Sequence, residues 1–264
     1  MAKSFIYDSV GLLDLTSSSL QEGKIYGTLF STTTGKVDNG VRTIDQSIGN
    51  SSLIDGTFNG ETAYSGAIRI DLGSSLAVNC VAVYLPADLV PDVKIHTGDS
   101  ATTGFAQFGS TSSSPSAGWT VFTDTEVTHR YIIINIYDGS SFSNIAVNEI
   151  IVGTKYDFDL SMDLNNSIGE EFANTVNQSY GGIEYATKRH NPKTAWKWNW
   201  SNISSAMKTR LTTFRDAVVG DYKKFLYYDE TTYNFVRMSS DSLKFNEIAW
   251  GRYSTSFSAT EQLQ

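Results

Sequence analysis

A disulfide within this chain is excluded, because it has a single cysteine, Cys80. That residue sits in the apolar run Val78-Asn79-Cys80-Val81-Ala82-Val83-Tyr84, which reads as a buried small hydrophobe rather than a reactive thiol. Proline is scarce too, at 4 among 264 residues, whereas Thr, Ser, Tyr, Phe and Gly are plentiful. Such a balance favours strands and turns over helices. No run of about 18 apolar residues occurs, so no transmembrane helix is expected. The start, Met1-Ala2-Lys3-Ser4-Phe5, lacks the apolar core of a secretory signal. Synthesis in a cytoplasm is the expectation.

Positive charge is short as well. The net charge is −8, and it is unevenly spread. Residues 1–155 hold 8 Lys and Arg against 15 Asp and Glu, and the rest hold 12 against 13. An acidic first part argues against binding a phosphate backbone. The change in balance supports two domains, 1–155 and 156–264, each of ordinary size.

Catalytic signatures are missing. There is no Gly-x-Ser-x-Gly elbow and no Walker-type loop. The three histidines, His96, His129 and His190, stand apart without metal-type spacing. Acidic pairs such as Glu170-Glu171 and Asp229-Glu230 fall in turn-like segments. The expectation is a protein that is not an enzyme.

What is present is short strands between Gly, Ser, Asp and Asn turns, the pattern of an all-β sandwich. Candidate strands are 67–72, 78–85, 92–96, 120–122, 130–137 and 145–152. Ile132-Ile133-Ile134 is apolar on both faces and predicts a central strand. Residues 109–118 are rich in Ser and read as an exposed loop.

In order along this part come Leu53-Ile54-Asp55-Gly56, Ile70-Asp71-Leu72-Gly73, Val78 to Tyr84, Arg130-Tyr131-Ile132-Ile133-Ile134, and Ile145 to Gly153 with Glu149 inside it. This series resembles the discoidin, or galactose-binding-like, jelly-roll family over most of residues 40–155. One departure is the wider gap between Asp55-Gly56 and Thr62-Ala63-Tyr64, where the family places Thr-x-Trp sooner. The resemblance implies a structural calcium site near the Asp-Gly loop, with Asp55 and Glu149 as carboxylate ligands and Thr62 as an oxygen donor. Calcium takes six to eight oxygens, and loop carbonyls would supply the others. The plainer alternative has Asp55 capping its turn and Glu149 pairing with a cation or amides. No cofactor is required beyond this calcium. Sugar binding is the family's usual role, and Tyr64, Phe105, Phe108, Trp119 and Phe142 lie in or near loops. Trp119 precedes a strand and fits a core position better than a sugar platform.

The remainder has a different texture. Residues 156–163 alternate apolar and polar, Ile183-Glu184-Tyr185-Ala186 fits a further strand, and Trp196, Trp198 and Trp200 share one face of another. Ser201 or Asn202 can cap a helix over about 202–219. Its stripe is Ile203, Met207, Leu211, Phe214 and Val218, and Gly220 marks its stop. A hairpin follows around Asp229-Glu230-Thr231, then strands from Glu247 and from Arg252. The tryptophan stripe suits packing under the helix or a subunit interface, and the helix's need for a covering surface favours the former. Lys188-Arg189 and Lys223-Lys224 read as solvated edges.

This order of a Trp-rich strand, one helix, a Phe225-Leu226-Tyr227-Tyr228 hairpin and a last alternating strand resembles the tube-like β-domain of bacteriophage minor and distal tail proteins. The fold expected is mainly β: an N-terminal sandwich jelly roll, then a β-barrel or sandwich domain with one α-helix. The resemblance implies a structural virion protein, baseplate-proximal, made in a bacterial host and placed in the tail. Extended strands and hairpins would join copies into a homo-oligomeric ring, hexameric or trimeric, beside other tail proteins. The jelly roll would face outward towards host surface glycans, with no nucleic acid and no membrane insertion. The alternative function is a carbohydrate-binding protein, a lectin-like module with an accessory domain.

Overall fold

The computed structural model of the protein describes residues 3–10, 25–28, 36–38, 52–57, 67–89, 92–100, 104–137, 141–158, 166–172, 174–180, 182–188, 191–239 and 243–262. The backbone divides into two compact units, Phe5–Tyr156 and Asp157–Leu263, the latter also taking the first residues up to Ser4. The chain is mainly antiparallel β-sheet, with one α-helix among the described residues.

The first unit holds β1 (Ser4–Tyr7), β2 (Ile25–Thr28), β3 (Lys36–Asp38), β4 (Ser52–Thr57), β5 (Ala67–Leu85), β6 (Asp92–Gly98), β7 (Ala106–Ser112), β8 (Gly118–Tyr137), β9 (Ser141–Val147) and β10 (Glu149–Asp157). The larger sheet runs β1-β10-β5-β8-β6-β7, with β2 also on β5, and the smaller is β3-β4-β9. The strand expected around Ile132-Ile133-Ile134 is indeed central, since β8 is flanked by β5 and β6. Ile132, Ile134 and Ile136 enter a buried cluster with Ile68, Ile70 and Ile95. Ile133 is buried too. Each such side chain contributes about 1.5–3 kcal/mol by leaving water. Cys80 is fully buried, as its apolar run predicted.

Several boundaries differ from the local pattern. Segments 67–72 and 78–85 are one strand, β5, and 120–122 merges with 130–137 in β8. Two long strands that ladder along their length carry their polar middles with them. The cost is an irregularity between Asp71 and Leu76, where Gly73 takes φ +82, a conformation glycine adopts without a Cβ clash. The run 145–152 breaks at Asn148 because β9 pairs with β4 while β10 pairs with β5. Part of the expected loop 109–118 is strand: β7 pairs with β6 and buries Phe108. An edge strand has one free side, so polar residues do not exclude it.

The second unit holds β11 (Ser167–Glu171), β12 (Asn174–Gln178), β13 (Glu184–Lys188), β14 (Lys193–Ser204), α1 (Ser205–Ala217), β15 (Lys224–Tyr228), β16 (Tyr233–Met238), β17 (Lys244–Ala249) and β18 (Arg252–Glu261). Its main sheet runs β11-β14-β18-β16-β15 with β17 on β18, and β12-β13 form a hairpin of their own. Trp196, Trp198 and Trp200 are all buried, so the stripe packs as core. Trp198 meets Tyr227 at 4.9 Å and Phe257 at 5.0 Å between ring centroids. Phe214 of the helix stripe touches Phe225 at 4.9 Å and Phe257 at 6.2 Å. Phe257 therefore links helix to tryptophans.

The helix starts later than Ser201 or Asn202 would place it. After an irregularity beyond Trp200, β14 stays paired with β18 through Ile203 and Ser204. Ser204 becomes the cap, accepting from the Met207 amide at 3.2 Å. The helix ends at Ala217, and Val219 takes a left-handed φ of +53 before Gly220 does so at +65. Lys223 is buried rather than solvated. Its amide bonds the Val218 carbonyl at 2.9 Å, which folds the turn back onto the helix end. Arg189 and residues 159–163 lie outside the described residues.

Candidate functional site

Chemistry-bearing side chains fall in a charged cluster of the first unit, at the expected calcium residues, and on the outer surface of the second unit.

The irregularity in β5 brings Asp71 against Arg130 of β8. Arg130 Nε donates to Asp71 Oδ1 at 2.7 Å and Nη2 to Oδ2 at 2.9 Å. The Gly73 amide donates to Asp71 Oδ1 at 2.8 Å. Beside them Asp99 accepts from Ser75 Oγ at 2.7 Å and from the Arg130 amide at 3.1 Å. The Ser75 hydroxyl, and less strongly the Arg130 amide and His129, hold Asp99 below the usual carboxylate range. His129 Nδ1 lies 2.9 Å from Thr97 Oγ1. Asp71 is held by the Arg130 guanidinium and the Gly73 amide, and Asp99 by the Ser75 hydroxyl and the Arg130 amide, so the cluster clamps the irregular strand. The Asp-Leu-Gly and Arg-Tyr segments that carried the sequence resemblance thus meet in space.

Of the calcium residues, Glu149 opens β10 opposite Tyr84 and is fully buried. Asp55 lies on β4 where the pairing with β9 shifts between Ile54 and Gly56. Thr62 is outside the described residues. Among the described residues no three His, Cys, Asp or Glu side chains gather to hold a metal ion.

The loop aromatics separate into different environments. Phe108 is core. Trp119 is half-buried and meets the half-buried Tyr84 edge-on at 5.2 Å. Phe105 is half-buried, the backbone of Phe142 pairs with Gly56, and Tyr64 and His190 are outside the described residues. His96 is buried.

The second unit has a feature that local patterns did not reveal. Among the described residues, ten large apolar side chains are exposed, and all ten lie in this unit. Six follow one another along β11 to β13: Ile168, Phe172, Val176, Tyr180, Ile183 and Tyr185. Every residue of β11 and of β13 is exposed. Val176 faces Ala186 across the hairpin while Tyr185 faces Asn177, so apolar groups lie on both of its faces. Among the described residues of this unit are two open clefts. One of about 760 Å³ is lined by Glu171, Phe172, Lys193, Tyr222 and Arg237 among others. The second, about 560 Å³, lies between the start of α1 and the β17–β18 turn, where Trp250 is 98% exposed. The sequence signal for Trp250 was the glycine that follows it between two strands, which marks a turn.

No protein-family model matches this chain, and no curated protein matches it. Solved structures similar to it include chitosan-binding module 1 of a chitosanase/glucanase from Paenibacillus sp. IK-5, at 19% identity and TM-score 0.36, over 49% of this chain and 98% of that one. Module 2 of the same enzyme, in complex with chitotriose, gives 12% and 0.37 over 48% and 98%. The family 32 carbohydrate-binding module of C. perfringens NanJ, in complex with galactose, gives 15% and 0.33 over 47% and 93%.

Proposed function

We propose that this chain is a non-catalytic structural protein whose second unit associates with further copies of itself, as in a bacteriophage tail, while the sandwich unit is presented as a binding module. The observation that carries the reading is that, among the described residues, the large exposed apolar side chains all lie in the second unit. A two-stranded hairpin alone in water is marginal at best. Among the described residues β12 and β13 pair only with each other, and both hairpin faces carry exposed apolar groups. Phe172, Tyr180 and Tyr185 expose on the order of 450 Å², taking ~200 Å² for a whole aromatic side chain. Ile168, Val176 and Ile183 add roughly half as much again. The hairpin's part of this area is spread over both of its faces, so it suits a strand pair held between neighbouring copies rather than one flat patch. The near-neutral balance of residues 156–264 lets copies crowd without strong repulsion. A head-to-tail contact of this sort closes into a ring when its rotation allows, and a hexamer or trimer is the ring we propose.

Light scattering on the eluting full-length chain tests this. A mass of several copies is expected, shifting to one copy when Val176 and Tyr180 are both replaced by Lys. A monomer at tens of micromolar for the unaltered chain would retire the assembly reading. Placement in a virion is checked separately, by finding the coding sequence beside tape-measure and tail-tube genes.

A second reading, a carbohydrate-binding protein, is favoured by the half-exposed Tyr84–Trp119 pair of the first unit. An exposed aromatic face is what a sugar ring stacks on. Chitotriose and galactose are the first probes, and loss of their binding in Trp119→Ala is the expected result. The calcium site of Asp55, Glu149 and Thr62 belongs to this proposal. Titrating calcium into EDTA-treated protein should release or absorb heat and raise the melting temperature, and Glu149→Gln should remove both effects.

A further inference from the structure

From the geometry at the β17–β18 turn we infer that the second unit carries a binding site for a neutral oligosaccharide, built on Trp250 and separate from the sandwich unit. Ala249 pairs with Arg252, so Trp250 and Gly251 form a two-residue turn. Gly251 takes φ +68, which lets the turn close without a Cβ clash. One bond reaches the tip from outside the hairpin: Ser205 Oγ of α1 donates to the Gly251 carbonyl at 3.4 Å. Trp250 is therefore presented from a fixed backbone with almost its whole surface in water. A preorganised aromatic loses little freedom when a ligand stacks on it.

The open cleft that Trp250 helps to line bears on the class of ligand. Its volume of about 560 Å³ lies within the ~300–1,000 Å³ of small-molecule sites. Its wall offers the Arg252 guanidinium as a donor, and the Glu247 carboxylate and Ser205 Oγ as acceptors. One cation and one anion oppose a ligand of either net charge. An apolar face for the indole and hydroxyls for both a donor and acceptors describe a sugar ring. A protein partner would need a wider apolar floor, and besides Trp250 the wall supplies only Ala206 and the Tyr253 ring. The ammonium of Lys208 sits 4.0 Å from the Tyr253 ring centroid, which occupies that ring and leaves Trp250 as the platform.

The test is a neutral-glycan array probed with the full-length chain, followed by titration of cellotriose, maltotriose and mannotriose with tryptophan emission as the readout. Binding of at least one neutral glycan is expected, with a blue shift as Trp250 leaves water. Trp250→Ala should weaken that binding at least tenfold, Arg252→Ala severalfold, and Trp119→Ala not at all. Neither Trp250→Ala nor Arg252→Ala should lower the melting temperature, since both side chains are exposed. The inference is overturned if no neutral glycan binds at millimolar concentration, or if Trp250→Ala leaves binding unchanged. It is overturned equally if Trp250→Ala lowers the oligomeric mass, which would assign the indole to a contact between copies. Because assembly is read by the hairpin variants Val176→Lys and Tyr180→Lys, its failure is distinguishable from failure here.

Discussion

Arg130 grips Asp71 through two parallel hydrogen bonds, 2.7 and 2.9 Å long, across 59 positions of sequence. The same guanidinium lies 5.0 Å from the ring centroid of Tyr131. The Asp71 side chain is 18% exposed and that of Arg130 41%, so water screens the pair only in part. A double-mutant cycle with Asp71→Ala and Arg130→Ala should return a coupling of about 1 kcal/mol in urea unfolding, above the usual surface pair because of the bidentate geometry. The coupling should shrink in molar salt.

The β15–β16 turn depends on Asp229. Its carboxylate accepts from the Thr231 and Thr232 amides at 2.9 and 2.7 Å, and from both hydroxyls at 2.6 and 3.1 Å. Burial alone would raise its pKa, but these bonds outweigh burial and hold it at about 2. The unfolded chain takes up this proton near pH 4, so the stabilisation is complete above that pH and is lost as pH falls towards 2. Asp229→Ala should cost about 1–2 kcal/mol at pH 7, as loss of a comparable cap does. The difference from the parent should narrow between pH 4 and 2, read from urea midpoints.

His96 is a base where Asp229 is an acid, yet it gives the same direction of pH dependence. Burial, helped by the charge of Lys94, pushes its imidazole below the ordinary value. The unfolded chain binds a proton near pH 6.5 that the folded chain resists. Stability from this residue is therefore present above pH 6.5 and declines as pH falls below it. The melting temperature should drop between pH 7.5 and 5.5, and a His96→Gln variant should show a flatter profile over that window.

Val219 is a β-branched residue held at φ +53 just past the helix end, with its side chain exposed. A left-handed conformation costs a residue of this shape about 1–2 kcal/mol. Val219→Gly should raise the unfolding free energy by roughly 1 kcal/mol, less the entropy glycine adds to the unfolded chain. Chemical denaturation at neutral pH measures it. A fall in stability would mean that the valine side chain contributes packing not evident from its exposure.

Elements with a strong local period were legible in sequence. The spacing of Met207, Leu211 and Phe214 made a helix, the alternation of Trp196, Trp198 and Trp200 made a strand with one buried face, and Asp229 marked a turn between two apolar runs. Each depends on residues within one or two turns of chain, where period and burial are the same fact. The triple isoleucine announced a strand buried on both sides for that reason. What only the tertiary structure decided rests on partners distant in sequence. The polar β7 is a strand because β6 offers it an edge. The helix waits for Ser204 because β18 keeps hold of β14. Lys223 is buried because its turn folds back on Val218. Asp71 finds Arg130, and Trp250 is left in water while three other tryptophans are buried. Composition and period determine which residues prefer the interior; only the closed set of strand pairings determines which of them an interior is built around, and which remain outside to meet a partner.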